Sequence, residues 1–214
     1  TDCIILDLRQ NDGGYVGNDS QLFSYFAQDT FRDAASAEVK SLKIGVKEHL
    51  AREQFSKMLE RLLAKDFKPS ADGRLFMIDE KNRQWKPKKK AFDGHVLALI
   101  SGWTHSGGAV FCSYLLNNDN VTFIGEETGG GHATFTAGNM VLYDLPNSRC
   151  QVEIPLILYE NYRGKKTFPK GSGIRPDHKV TQSQKDLINN VDTVMAFALQ
   201  LARKAATAKD ASEK

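Results

Sequence analysis

The run from His95 to Ser101, HVLALIS, is apolar almost throughout. A strand without polar alternation belongs inside a sheet covered on both faces. The run breaks at Gly102-Trp103-Thr104, and from Ser106 the residues Gly107-Gly108-Ala109-Val110-Phe111 open a helix expected to reach about Leu116. Ser106 therefore stands where a strand stops and a helix starts. The first-turn amides of a helix lack partners, so oxygen-centred negative charge is stabilised at that point. Gly107 and Gly108 remove side chains that would crowd an incoming carbonyl. By itself the stretch fits two readings: Ser106 as an N-cap, or Ser106 as a nucleophile.

Two further apolar runs end in glycine-bearing turns. Cys3 to Leu8 reads as a central strand passing into Gln10-Asn11-Asp12-Gly13-Gly14-Tyr15, a tight loop. Val121 to Ile124 leads into Gly125-Glu126-Glu127-Thr128-Gly129-Gly130-Gly131. Between them, Asp19-Ser20 offers a cap for a helix through about Asp29, with Leu22, Phe23 and Phe26 on one side. Val46, Leu50, Phe55, Leu59 and Leu62 recur at helical spacing and predict one amphipathic helix from about Val46 to Lys65. Arg74 to Ile78, with the turn Asp79 to Arg83, predicts a small hairpin ending near Trp85. Asn139 to Leu145 and Arg149 to Tyr159 read as strands around Pro146-Asn147-Ser148, and 170–177 as a rigid loop. Thr181 or Ser183 opens a final helical stretch, expected to fray over 205–214. Strands alternating with helices argue for an α/β core. We expect one domain over 1–214, with the charged region 33–92 inserted in it as a helix plus hairpin.

Composition excludes several functions. A formal charge of +3 is too small to imply a nucleic-acid partner, and the basic run from Trp85 to Lys90 reads as a solvated loop. No apolar stretch has the length of a membrane span. Cys3, Cys112 and Cys150 have no metal-ligand spacing; the first two read as buried small hydrophobes, and one disulfide stays open. Asp177-His178 lacks partner ligands for a metal, and the glycine loop lacks the G-K-[ST] ending of a phosphate loop. Thr1-Asp2 leads at once into an apolar run without an initiator Met, so we expect a piece of a longer protein.

Four segments together resemble the S41 serine peptidases, the tail-specific and C-terminal-processing protease superfamily. Leu6-Asp7-Leu8-Arg9-Gln10-Asn11-Asp12-Gly13-Gly14 is similar to that family's D-L-R-x-N-x-G-G loop. Thr104-His105-Ser106 falls where the family has T-x-S with the nucleophile last. Ile124-Gly125-Glu126-Glu127-Thr128-Gly129-Gly130 is like its I-G-E-x-T-x-G, and Gly173-Ile174-Arg175-Pro176-Asp177 like its G-I-x-P-D. Pro146-Asn147-Ser148 followed by Ile154-Pro155-Leu156 resembles the branch abundant in Bacteroidetes.

The resemblance implies a ClpP/crotonase-type core of repeated ββα units. It also implies a serine endopeptidase with no cofactor, acting on peptide or protein substrates, with a cell-envelope, periplasmic or exported location. Ser106 would attack, while Gly107 and Gly13 or Gly14 would hold the oxyanion. The Ser/Lys branch carries a lysine after the G-E-x-T-x-G stretch; here Gly131 and His132 follow, so a Ser/Lys dyad is not expected. The other branch takes a histidine base from upstream of the D-L-R strand, which leaves this piece nearly inactive by itself. The carboxylate some members carry before G-I-x-P-D is missing, Lys170 standing in that neighbourhood. His132 and His105 are possible substitutes for the base, and Glu126 and Glu127 possible orienters or substrate-amine binders. Two alternatives remain: a catalytically impaired module binding peptides or apolar ligands, and an enoyl-CoA-hydratase-like enzyme, which the T-x-S and G-I-x-P-D segments do not favour.

Overall fold

The computed structural model describes residues 1–15, 17–162, 166–169 and 171–212, with 205–212 described by backbone alone. Its strands in chain order are β1 (Cys3–Asp7), β2 (Phe31–Arg32), β3 (Ser36–Val39), β4 (Phe67–Pro69), β5 (Leu75–Met77), β6 (Gln84–Trp85), β7 (His95–Ile100), β8 (Val121–Gly125), β9 (Thr134–Thr136), β10 (Met140–Asp144), β11 (Gln151–Pro155), β12 (Ile157–Glu160) and β13 (His178–Lys179). Its helices are α1 (Asn18–Phe23), α2 (Ser56–Asp66), α3 (Gly107–Leu115), α4 (Gln184–Ile188) and α5 (Thr193–Ser212). Two compact units result: Thr1–Thr30 with Lys86–Ala133 and Arg163–Lys214, and Phe31–Trp85 with Thr134–Tyr162.

In the first unit the three apolar runs become β1, β7 and β8 of a parallel sheet, ordered β1-β7-β8-β13. Asp7 pairs with Leu99, and Ile100 with Gly125, so these strands end level. Parallel strands that end level put the turns after them along one sheet edge, where open α/β sheets bind ligands. Leu97, Leu99 and Ile124 pack on Val194 and Ala198 of α5. Val96, Ala98 and Ile100 alternate to the other face and are equally inaccessible. Helix α3 is buried from Gly108 to Leu115. It packs on α1, with Phe23 stacked on Tyr114 at 5.4 Å. Each such large apolar side chain contributes about 1.5–3 kcal/mol on burial.

Three expectations for this unit change. Helix α1 stops at Phe23, because the chain tightens there into turns closed by Tyr25 N–H on Leu22 and Phe26 N–H on Phe23. Phe23 and Phe26 stay buried while Leu22 turns outward. The final helical stretch is two helices. Ser183 caps α4 in a reciprocal box with Asp186, Asn190 at φ 54° breaks the run, and Asp192 accepts the Met195 amide to start α5. The α5 backbone stays helical to Ser212, past the expected fraying point at Ala205.

The second unit holds an antiparallel sheet ordered β4-β5-β3-β12-β9, beside the β10–β11 hairpin and the short β2–β6 pair. The insertion expected over 33–92 is only part of this unit. Strands β12 and β9 pair with β3 and with each other, so 134–162 complete the sheet. Strand β5 pairs with β4, and β6 with β2, so the expected β5–β6 hairpin does not form. The expected single helix over 46–65 is two short 3₁₀ turns followed by α2. Its buried stripe is Ser56, Glu60 and Leu63, while Val46, Phe55 and Leu62 are exposed. Leu63 joins Ala37, Val39, Phe67 and Ile157 in the core. Glu60 is buried with its charge compensated: Oε1 accepts from Lys47 at 2.8 Å and from the Ile44 amide at 3.0 Å, and Oε2 lies 3.5 Å from Lys43. Those contacts hold its carboxyl down to about 2.

Candidate active site

Ser106 is exposed at the level strand ends, with φ 51° and ψ −133°. That region is sparsely populated for any residue with a Cβ. Its hydroxyl makes no capping bond to α3 and, among the described residues, no hydrogen bond at all. The N-cap reading therefore finds no support in the geometry. Gly13, at φ +108°, lies directly against the serine: a Cβ there would sit 2.5 Å from the Ser106 Cβ and 2.7 Å from Oγ. Gly107 faces the same turn, a Cβ on it lying 3.6 Å from the Gly14 nitrogen. Residues more than ninety positions apart thus converge on one hydroxyl.

The convergence is held by backbone groups and buried hydroxyls. Thr104 is fully buried; its Oγ1 donates to the Leu8 carbonyl at 2.8 Å and accepts the Ser101 amide at 3.0 Å. Ser101 Oγ donates to the Arg9 carbonyl at 2.6 Å, and the His105 amide to the Asn11 carbonyl at 3.1 Å. The Gly130 amide donates to Thr104 at 3.1 Å, bringing in the third glycine turn. That turn is clamped to the fourth segment through the buried Thr128, which accepts the Ile174 amide at 2.8 Å. Glu127 accepts the Gly173 amide at 2.8 Å and lies 3.4 Å from Arg175. Asp177 accepts the Phe123 amide at 2.9 Å, tying that segment to β8. The four motifs of the sequence form one hydrogen-bonded cluster.

Arg9 serves the frame. Its guanidinium binds both carboxylate oxygens of Asp7 (2.9 and 2.6 Å) and of Asp192 (2.7 and 2.7 Å), joining β1 to the start of α5. Hydrogen bonding to Arg9 holds both carboxyls below their usual range. A cavity of about 1050 Å³ opens beside this cluster, lined among others by Asp12, Gly13, Trp103, Glu126 and Leu187. Glu126 is exposed there.

The histidines are placed differently. His132 donates from Nδ1 to the Ser172 carbonyl at 3.1 Å and accepts the Phe168 amide on Nε2 at 3.2 Å, so both ring nitrogens are engaged. His105 is half-buried, its ring 6.3 Å from that of Trp103 and its Cδ2 against Gly129. The three cysteines are free thiols; Cys112 is buried and its thiol pushed up by burial, Cys3 is half-buried and Cys150 exposed. Among the described residues no helix is long and apolar enough to cross a membrane. Lys170 lies outside the described residues.

The site is thus an exposed, strained serine beside two glycine-bearing turns at the ends of a parallel sheet. The sequence profile of peptidase family S41 matches residues 1–180, and the chain belongs to that family. No curated protein matches it in sequence. Among solved structures it is similar to a Parabacteroides merdae protein assigned as a peptidase (TM-score 0.56, 18% identity, 94% of this chain and 51% of that one). It is also similar to mature CPAF in complex with lactacystin (0.58, 14%, 97% and 44%). A third is a Bacteroides fragilis protein assigned to the S41 proteases (0.51, 14%, 94% and 44%). At these identities the likeness is one of fold, a mixed α/β architecture with a parallel sheet, and the chain spans about half the length of these structures or less.

Proposed function

We propose that this chain is the catalytic part of a serine endopeptidase, built on a ClpP/crotonase-type core, with Ser106 as nucleophile. The observation that carries the reading is the contact between Gly13 and an exposed, uncommitted Ser106 Oγ, with the α3 N-terminus opening at the same place. In the first step Oγ bonds to the peptide carbonyl carbon as its proton passes to a base. The carbonyl oxygen becomes an oxyanion held by the Gly107 amide and an amide of the Gly13-Gly14 turn. Collapse breaks the C–N bond and the amine leaves with the proton; water then attacks the acyl-enzyme in the same way. Substrates are peptides or proteins, and no cofactor enters the steps.

By the family resemblance the base would be a histidine from upstream of β1; His132 has both ring nitrogens bound. That same engagement favours, as second reading, a catalytically impaired module that binds peptides without turnover. A fluorophosphonate applied to the full-length protein decides between them. Covalent labelling that disappears in Ser106→Ala supports the peptidase, whereas peptide affinity without labelling supports the binder. Equal labelling of both proteins removes Ser106 from the mechanism.

A further inference from the structure

Asn11 occupies a position that neither reading uses. Its side-chain Oδ1 accepts the Gly13 amide at 3.0 Å. Its own amide donates to Leu8 at 3.1 Å, and its carbonyl accepts the His105 amide at 3.1 Å. The side chain also lies against the first turn of α3: a Cβ on Gly108 would sit 2.9 Å from Oδ1 and 3.0 Å from Cγ. One residue thus ties the end of β1, the residue before Ser106, and the Gly13 amide together. The consequence concerns which amides remain for an oxyanion. Gly13 N–H is taken. Among the described residues Gly14 N–H and Gly107 N–H donate to nothing, and the Gly14 nitrogen lies 3.6 Å from the point a Gly107 Cβ would occupy.

We infer that Asn11 is a positioning residue: by engaging Gly13 N–H it turns the Gly13-Gly14 peptide so that Gly14 N–H, paired with Gly107 N–H, faces the carbonyl oxygen attacked by Ser106. This rests on the peptidase reading. An amide side chain suits the task because it accepts a hydrogen bond without bringing charge. A carboxylate here would accept equally well but would set negative charge beside the developing oxyanion and oppose it. An alanine would release Gly13 N–H, and a glycine at φ +108° has the freedom to swing it inward as a competing donor.

The test uses the full-length protein and a fluorophosphonate, with labelling of Ser106 split into kinact and KI. Asn11→Asp is expected to lower kinact roughly tenfold to a hundredfold, with KI and Tm little changed, and part of the loss recovered as pH falls through the carboxyl's titration. Asn11→Ala lowers kinact without that recovery. Amide exchange read by NMR gives a second measurement independent of labelling. Gly13 N–H is expected to be protected in the unmutated protein and unprotected in Asn11→Ala, while Gly14 N–H exchanges fast in both. Unchanged kinact in both variants, or an unprotected Gly13 amide in the unmutated protein, overturns the inference. If the unmutated protein does not label but the exchange pattern holds, the peptidase reading falls and the Asn11 latch stands.

Discussion

Gly13 and Gly14 are neighbours with opposite tolerances, and the contrast tests the site at single-residue resolution. A Cβ on Gly13 would meet Ser106 and the Gly107 nitrogen, at 2.5 and 2.9 Å, with φ at +108°; a Cβ on Gly14 meets nothing within 4 Å. Gly13→Ala is therefore expected to lower stability by roughly 2 kcal/mol and to abolish labelling of Ser106, since its methyl group takes the space beside Oγ. Gly14→Ala is expected to leave Tm within a degree or two. Thermal melts of the two variants check the first claim, and the fluorophosphonate signal checks the second. The nucleophile candidate and the glycine turn were both legible in the sequence, because strand-to-helix punctuation is written in residue types. The Asn11 latch was not. Nothing in the order Asn11-Asp12-Gly13 says which amide a side chain will engage, and that depends on the turn's final geometry.

Elements were legible where a segment's burial is decided by its own pattern. Strands β7 and β8 have apolar residues on both faces and are buried, whereas β1, expected to be central, stands at the end of the sheet order and is only half-buried; the extents of all three follow the sequence closely. Pairing failed where it depends on distant chain: β5 chose β4 and β3, and β6 chose β2. Helix α2 failed for a different reason. Its inward face is set by Glu60, an ionic side chain that periodicity assigns to solvent, anchored by Lys47 and the Ile44 amide. Arg9 shows the same limit in the first unit. The motif marks it, yet its role is to bind Asp7 within β1 and Asp192 at the head of α5, a link of 183 positions. Arg9→Gln is expected to lower stability by about 1–2 kcal/mol, since paired hydrogen-bonded ions at a half-buried site exceed an ordinary surface bridge. The amides of the first α5 turn would then exchange faster. Urea titration and hydrogen exchange measure the two effects; unchanged protection at Val194 and Met195 would show that α5 docks without Arg9.

At the scale of the whole chain the ionic anchors of both units share one sign, and this fixes the pH response. Asp7 and Asp192 in the first unit are depressed mainly by their hydrogen bonds to Arg9, Asp186 by Ser183, and Glu60 in the second unit is brought to about 2 by Lys47 and the Ile44 amide. A carboxyl whose pKa is lower folded than unfolded contributes stability that is fully present above the unfolded value, near 4. The contribution is lost as pH falls through the folded value, because the unfolded chain then binds more protons. Stability is therefore expected to be flat from about pH 8 to 5 and to fall steadily between about pH 4 and 2. Urea midpoints read by tryptophan fluorescence across that range follow the fall. Replacing the anchors separates the contributions: Arg9→Gln shrinks the acid-dependent part that arises from Asp7 and Asp192, and Glu60→Gln shrinks the part that persists to about pH 2, to which Asp72, depressed by Ser70 and Arg74, also contributes. An acid limb of the same slope in both variants would place the titrating groups elsewhere in the chain. The first of these anchors joins the end of β1, whose following turn carries Gly13, to the start of α5. Labelling of Ser106 after brief acid exposure and return to neutral pH should accordingly recover in step with refolding of the Arg9 link, and a site that recovers earlier would show that the turns assemble without it.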